Sequence, residues 1–329
     1  MSVRARHLVA YAASMFSLFL LQILSHFSFA QRMSDVDLDI FWSLLSQVFC
    51  MGILPLTVLL ILRRNVSSVS DTFCYMRYRK PTDPKAALFA TLGIALLIVP
   101  FTMAFNTVSN LILNVLHYKR VHAVGTIYNG VGDLLLQVFL TALLPAVCEE
   151  FTHRGVLLSG LEDRGSEMSA VVLSAVLFGL MHENPQQMIF TTFGGIVFAL
   201  AAIKTGSILP AIVAHFSNNF ISVILDYSIQ RKTAFGVWYD SVTSSGNALS
   251  VLLLVAVMAL AVYGIVRILQ YLTGKADKPV SPRKLLGIIT VDGYSPNGRA
   301  MLADNICLYA VMIAESALLL TYLIWGIAR

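Results

Sequence analysis

The stretch LLPAVCEEFTHRGVLL, Leu143 to Leu158, sets two adjacent carboxylates, Glu149 and Glu150, beside His153 and Arg154 in an otherwise apolar run. Two polar clusters follow: FGLMHEN, with Phe178 and His182, and IVAHFSNNF, with His215, Asn218 and Asn219. The chain holds six glutamates in all, so two side by side in such a run call for a chemical reason. Helical spacing divides their roles. Glu150 and Arg154 are four apart, so they share a face, with the glutamate on the N-terminal side, the better orientation for an ion pair. Glu149 is rotated by about 100° from its neighbour. It cannot share that task and is left to face a cavity. Phe178 and His182, and His215 and Asn219, repeat the four-residue spacing on two further segments, while Asn218 is the weaker candidate for the His215 face.

If these segments pack together, a carboxylate, two imidazoles and an amide meet in one polar pocket, a set sufficient for amide hydrolysis. Glu149, helped by His182, is a general base for water. His215 and Asn219 are donors to a developing oxyanion, a role worth roughly 10²–10³ in rate per donor. No G-x-S-x-G elbow and no serine or cysteine nucleophile joins the set. The same residues allow a second chemistry, because two histidines and a glutamate are a known catalytic zinc set with a fourth position for water. Glu149, His182 and His215 are then ligands. No H-E-x-x-H occurs, and the spacing leaves both chemistries open.

These residues resemble the CPBP family, the CAAX prenyl endopeptidase type II and bacteriocin-processing (Abi) intramembrane proteases. Its motifs EExxxR, FxxxH and HxxxN are matched by EEFTHR (Glu149 to Arg154), FGLMH (Phe178 to His182) and HFSNN (His215 to Asn219). They occur in the family's order, with 33 residues from Glu149 to His182 and 33 more to His215. The resemblance covers about residues 125–226 and leaves both ends unassigned. It implies that Glu149 and His182 activate water without a metal or other cofactor, zinc being the alternative. Glu150 and Arg154 become a structural or positioning pair with Phe178 supplying shape, and His215 with Asn219 forms the oxyanion site. The implied substrate is a membrane-associated peptide or a prenylated, CAAX-type protein. Bacterial members also act in immunity and regulation, so a non-catalytic scaffold, regulator or bacteriocin-immunity protein that keeps the motif is the alternative. A proton-relaying transporter is a third reading.

The elements that must position these residues follow from composition. The chain is 329 residues, 57% hydrophobic and 12% charged, with a mean hydropathy of +0.76. Soluble domains carry about 25% charged residues, and helices of about 20 apolar residues cross a bilayer. The fold class is therefore an all-α polytopic membrane protein, a bundle of about 8–9 transmembrane helices around a polar intramembrane cavity. Nine hydrophobic segments are expected: 8–30, 40–62, 86–116, 129–148, 168–182, 187–203, 206–226, 248–272 and 303–327. The fourth should continue through the double glutamate toward Gly160. The fifth and sixth are short and could form a hairpin about Asn184 and Pro185. One membrane domain, 1–329, is the simplest division, with the chemistry at about 125–226.

The net charge of +5 comes without any lysine- or arginine-rich block of the kind that binds nucleic acid. Read as topology signals, Arg4, Arg6, Arg63, Arg64, Arg77, Arg79, Lys80, Lys85, Lys204, Lys275, Lys278, Arg283 and Lys284 put the N-terminus in the cytoplasm of a cell-membrane protein. Lys119, Arg120, Arg231 and Lys232 oppose that orientation. Ser28-Phe29-Ala30 resembles a signal cleavage site, but the apolar run before it is too long for a signal core of about 7–15 residues, so an uncleaved first helix is expected. Cys50, Cys74, Cys148 and Cys307 read as packing residues. His153 reads as solvated or interfacial, and His7, His26, His117 and His122 receive no role. Pro145 reads either as a kink that aims the glutamates or as an ordinary tolerated proline.

Overall fold

The computed structural model describes residues 3–25, 35–62, 69–115, 127–162, 166–182, 184–244, 247–275 and 298–328. Ser28, Phe29, Ala30, Arg63, Arg64, Lys119, Arg120, Lys278, Arg283 and Lys284, with His26, His117 and His122, lie outside the described residues. Among the described residues every element is helical, as a bilayer demands when no water is present to satisfy free backbone groups.

In chain order, α1 is Val3–Ser25. Helix α2 runs through Asp35–Ser43, a π-helical stretch Leu44–Ile53, and Leu54–Leu62. The short α3 is Val69–Tyr75 and α4 is Pro84–Val115. Helix α5, Val131–Glu162, carries the double glutamate. It is followed by α6 (Glu167–Leu180), α7 (Pro185–Thr205) and α8 (Leu209–Gln230). Then come α9 (Ala234–Ser244), α10 (Ala248–Lys275) and α11 (Gly298–Ala328). Each of the nine expected apolar segments has its helix. Among the described residues seven helices are long and apolar enough to cross a membrane. The 14 residues of α6 rise only about 21 Å at about 1.5 Å per residue, short of the hydrocarbon thickness.

Helix starts are chemically marked. Asp83 accepts from the backbone N–H groups of Lys85 and Ala86 at 3.1 and 3.0 Å, capping α4 just before Pro84. Ser166 accepts from Ser169 N–H at 3.1 Å and caps α6. The end of α6 is fixed by close approach to α7. A Cβ on Gly179 would lie 2.1 Å from Thr192 Oγ1 and 2.8 Å from Met188 O, and one on Gly195 would lie 3.0 Å from Ala175. Small residues let the two backbones meet, so His182, two residues beyond α6, is held by this hairpin.

Helix α5 lies against α1, α2 and α8. It holds two π-helical stretches, Val138–Leu143 and Phe151–Leu157, on either side of the α-helical Leu144–Glu150. Such bulges recur where a helix must re-aim side chains at functional sites. Pro145 lies inside α5 directly after the first π stretch, so its missing N–H falls beside the bulge. The π stretch of α2 is tied from both sides: Ser14 Oγ donates to Cys50 O at 2.7 Å, and the Thr152 hydroxyl donates to Met51 O.

Two sequence expectations are corrected. His153 is not solvated: it is fully buried, because α5 is enclosed on every side from Cys148 to Leu161. Cys74 is exposed on the short α3, whereas Cys50 and Cys148 are buried and Cys307 is half-buried.

Candidate active site

Glu150 is fully buried and Arg154 is 1% exposed, with Arg154 Nε 3.1 Å from Glu150 Oε2. The approach is too poorly aligned for a hydrogen bond, and none of the guanidinium nitrogens makes one among the described residues. Charge and ring contact hold the cation instead. Its guanidinium carbon lies 4.2 Å above the Phe178 ring and 5.4 Å from that of Phe198, within reach of the cation–π attraction.

Phe178 does more than supply shape. Its ring also meets those of His153, His182 and His215 edge-on at 5.0, 5.0 and 5.7 Å. Phe198 stacks on His215 at 5.6 Å. One aromatic pair from α6 and α7 thus orients the arginine and His215, and Phe178 reaches all three imidazoles.

Hydrogen bonds fix the histidines. His182 Nδ1 lies 2.8 Å from Phe178 O. A carbonyl only accepts, so Nδ1 carries the proton and the neutral ring presents Nε2 as an acceptor. His153 Nδ1 donates likewise to Glu149 O at 3.0 Å, and its Nε2 faces the Tyr11 hydroxyl at 3.5 Å. His215 bridges both glutamates, with Nδ1 2.8 Å from Glu150 Oε1 and Nε2 3.8 Å from Glu149 Oε2. Spacing alone divided the two carboxylates; His215 joins them. Just outside the membrane helices, burial beside Glu150 pushes the Tyr78 phenol up, so it remains a hydroxyl.

Glu149 is differently placed. Gln47 of α2 donates from Nε2 to Glu149 Oε1 at 2.9 Å, while Oε2 makes no hydrogen bond among the described residues. Glu149 and His182 both line a cavity of about 230 Å³, together with Gln47, Gln22 of α1 and Glu315 of α11. His215, behind Glu149, does not line it. Asn219 is half-buried and directed elsewhere: its Nδ2 donates to Thr141 O at 3.2 Å, and its Oδ1 accepts from Asn218 at 3.0 Å. Asn218 in turn accepts from Thr102 at 2.5 Å. Helix α8 therefore brings His215 to the glutamates and holds the asparagine pair against α4 and α5.

Among the described residues no three His, Cys, Asp or Glu side chains converge as metal ligands. His215 Nδ1 is taken by Glu150 and His182 Nδ1 by Phe178 O.

Gln47, Phe198 and Glu315 are absent from the sequence motifs. A signal existed for two of them, since Gln47 and Glu315 are polar residues in apolar helices, the same criterion that singled out Glu149. Phe198 gives no signal, one aromatic among many.

Comparison with known proteins bears on the segment that builds this site. Residues 131–221 match the family model described as type II CAAX prenyl endopeptidase Rce1-like. A stretch of 97 residues is 26% identical to the candidate membrane peptidase YdiL of Bacillus subtilis (strain 168), covering 30% of this chain and 40% of that protein. The chain thus aligns with less than half the length of that relative. No solved structure matches the chain. Glu149, Glu150, Arg154, Phe178, His182, His215 and Asn219 all lie within the segment that is similar to the Rce1-like type II CAAX prenyl endopeptidase model.

Proposed function

We propose that this integral membrane protein is an intramembrane endopeptidase that hydrolyses a peptide bond of a membrane-associated protein or peptide, prenylated CAAX-type proteins included. The observation that carries this reading is Glu149. Its Oε1 is held by Gln47, its Oε2 makes no hydrogen bond among the described residues, and the residue lines a cavity together with His182. A water between Glu149 and His182 loses a proton to Glu149 as its oxygen attacks the scissile carbonyl. The C–O bond forms, the carbonyl becomes an oxyanion, and the proton passes from Glu149 to the departing amine when the C–N bond breaks.

We assign the oxyanion to His215, whose Nε2 sits beside Glu149 at the back of the cavity, and to Asn219, whose amide must turn from Thr141 O to reach it. Asn219 has a second N–H beyond the one given to Thr141 O. Glu150, Arg154 and Phe178 hold His215 in place. The reaction needs no metal. Placement in the cell membrane with a cytoplasmic N-terminus follows from the loop charges, which put Arg4, Arg77, Arg79, Lys80 and Lys204 on the inner side.

The deciding experiment is cleavage of a panel of membrane peptides, prenylated and not, by purified wild type and by Glu149→Gln. A peptidase cleaves at least one peptide and the variant does not, with expression and thermal stability unchanged. A scaffold or immunity protein cleaves none and keeps its cellular phenotype in the variant. A transporter shows altered proton-coupled uptake instead. Chelator treatment leaves the activity intact; loss that zinc restores sinks the metal-free mechanism.

A further inference from the structure

The general base is held at both ends, and one of the two holds belongs to a residue that the proposed reaction leaves idle. Gln47 takes the carboxylate of Glu149 at Oε1. At the other end, the Glu149 carbonyl accepts from His153 Nδ1 at 3.0 Å, a side-chain bond that reaches back four residues along α5. His153 is fully buried and is the third residue of the π-helical stretch Phe151–Leu157. Backbone bonds there span five residues instead of four, so α5 changes register just after the double glutamate. The His153 N–H bridges that change and ends on the peptide group of the base.

Helix α1 holds His153 in turn. Because Nδ1 gives its proton to a carbonyl, Nε2 is left as the acceptor, and the hydroxyl of Tyr11, also fully buried, stands 3.5 Å from it. The Tyr11 ring meets the imidazole edge-on at 5.4 Å and the Phe178 ring does so at 5.0 Å. A histidine kept only for bulk has no need of both ring nitrogens. Tyr11 lies outside residues 131–221, the segment similar to the Rce1-like model, so the remainder of the chain supplies this support. Resting on the peptidase reading above, we infer that His153 is a positioning residue for Glu149. Its N–H fixes the peptide group from which the carboxylate projects, and Tyr11 keeps the ring in the tautomer that does so. A peptide plane free to rotate swings the carboxylate, and about 1 Å of misplacement at a reacting group costs on the order of 10²-fold in rate.

Two substitutions separate the bond from the bulk. His153→Phe keeps a ring in place but has no N–H. His153→Thr loses the ring but keeps the bond, since a threonine hydroxyl donates to the carbonyl four residues back, as Thr91 and Thr102 do at 2.7 and 2.8 Å. In liposomes with the full chain and a cleaved membrane peptide, His153→Phe melts near wild type yet lowers kcat about 10- to 100-fold, with KM within about twofold. His153→Thr melts earlier but keeps kcat, per folded protein, within about threefold of wild type. Tyr11→Phe lowers kcat less than His153→Phe does and adds nothing in the His153→Phe background; an unaffected Tyr11→Phe removes the tyrosine from the device. Activity that instead follows the melting temperature across the variants overturns the inference and leaves His153 a packing residue. A readout without cleavage separates this inference from the peptidase reading. Glutamate labelled with ¹³C at the side-chain carboxyl gives six signals, and that of Glu149 is the one missing in Glu149→Gln. It moves in His153→Phe and keeps its wild-type position in His153→Thr, even if wild type cleaves nothing. A signal that stays in His153→Phe, or that moves in His153→Thr as loss of the ring alone would cause, overturns the inference. Either variant decides where the other fails to fold.

Discussion

Glu149 and Glu150 differ by one position, yet one belongs to a closed cluster and the other to a cavity. Glu150 is fully enclosed, paired with Arg154 at 3.1 Å and with His215 at 2.8 Å, under a lid of Phe178 and Phe198. Glu149 has one oxygen anchored by Gln47 and the other uncommitted. The first arrangement resembles a structural ion pair, in which removing one charge strands the other. The second resembles a general base, oriented but not neutralised. The same residue type one helical step apart thus serves stability in one case and chemistry in the other. His215 lies between them with one ring nitrogen toward each.

Substitutions should separate the two carboxylates. The largest expected effect is on chemistry: Glu149→Gln lowers cleavage by about 10²–10⁴-fold while leaving the melting temperature in detergent near that of wild type. Arg154→Met inverts that pattern. It strands Glu150 in the closed cluster and costs about 3–5 kcal/mol of stability, read as an early thermal transition. If both variants lose stability equally, the division between the two sites is wrong. A smaller effect is expected from Gln47→Leu, which removes one hydrogen bond to a charged group, worth about 1.5–3 kcal/mol. Cleavage should fall about 10- to 100-fold, with folding little changed; a purely structural Gln47 gives the reverse split. The smallest effect belongs to Phe178→Leu, which keeps bulk but loses the cation–π contact of about 2 kcal/mol. Its signature is modest destabilisation that is absent when Arg154→Met is already present, measured as a double-mutant cycle.

The Glu150–Arg154 pair was legible because it is local, two residues one helical turn apart. That it survives the π-helical stretch Phe151–Leu157 was not foreseeable, since the sequence gives no sign of a bulge there. His153 was misjudged for a related reason. Spacing within the motif says nothing of what surrounds a helix, and α5 is buried all round where His153 sits. Gln47 and Glu315 were passed over although each is polar in an apolar segment. Gln47 lies 102 positions from the carboxylate it holds. Asn219 shares a helical face with His215, yet its amide is directed to Thr141 O, because α8 meets α5 there as well.

Sequence by itself determined the helical membrane fold, because apolar runs of this length satisfy their backbone in lipid only as helices. It also determined the residues of the double-glutamate, histidine and asparagine motifs, because ionisable groups stand out against that apolar background. Only the tertiary structure decided what encloses Glu150 and what meets Glu149 at the cavity. That depends on where α2, α6, α7, α8 and α11 place Gln47, Phe178, Phe198, His215 and Glu315 around α5, contacts between residues far apart in the chain that no local spacing encodes.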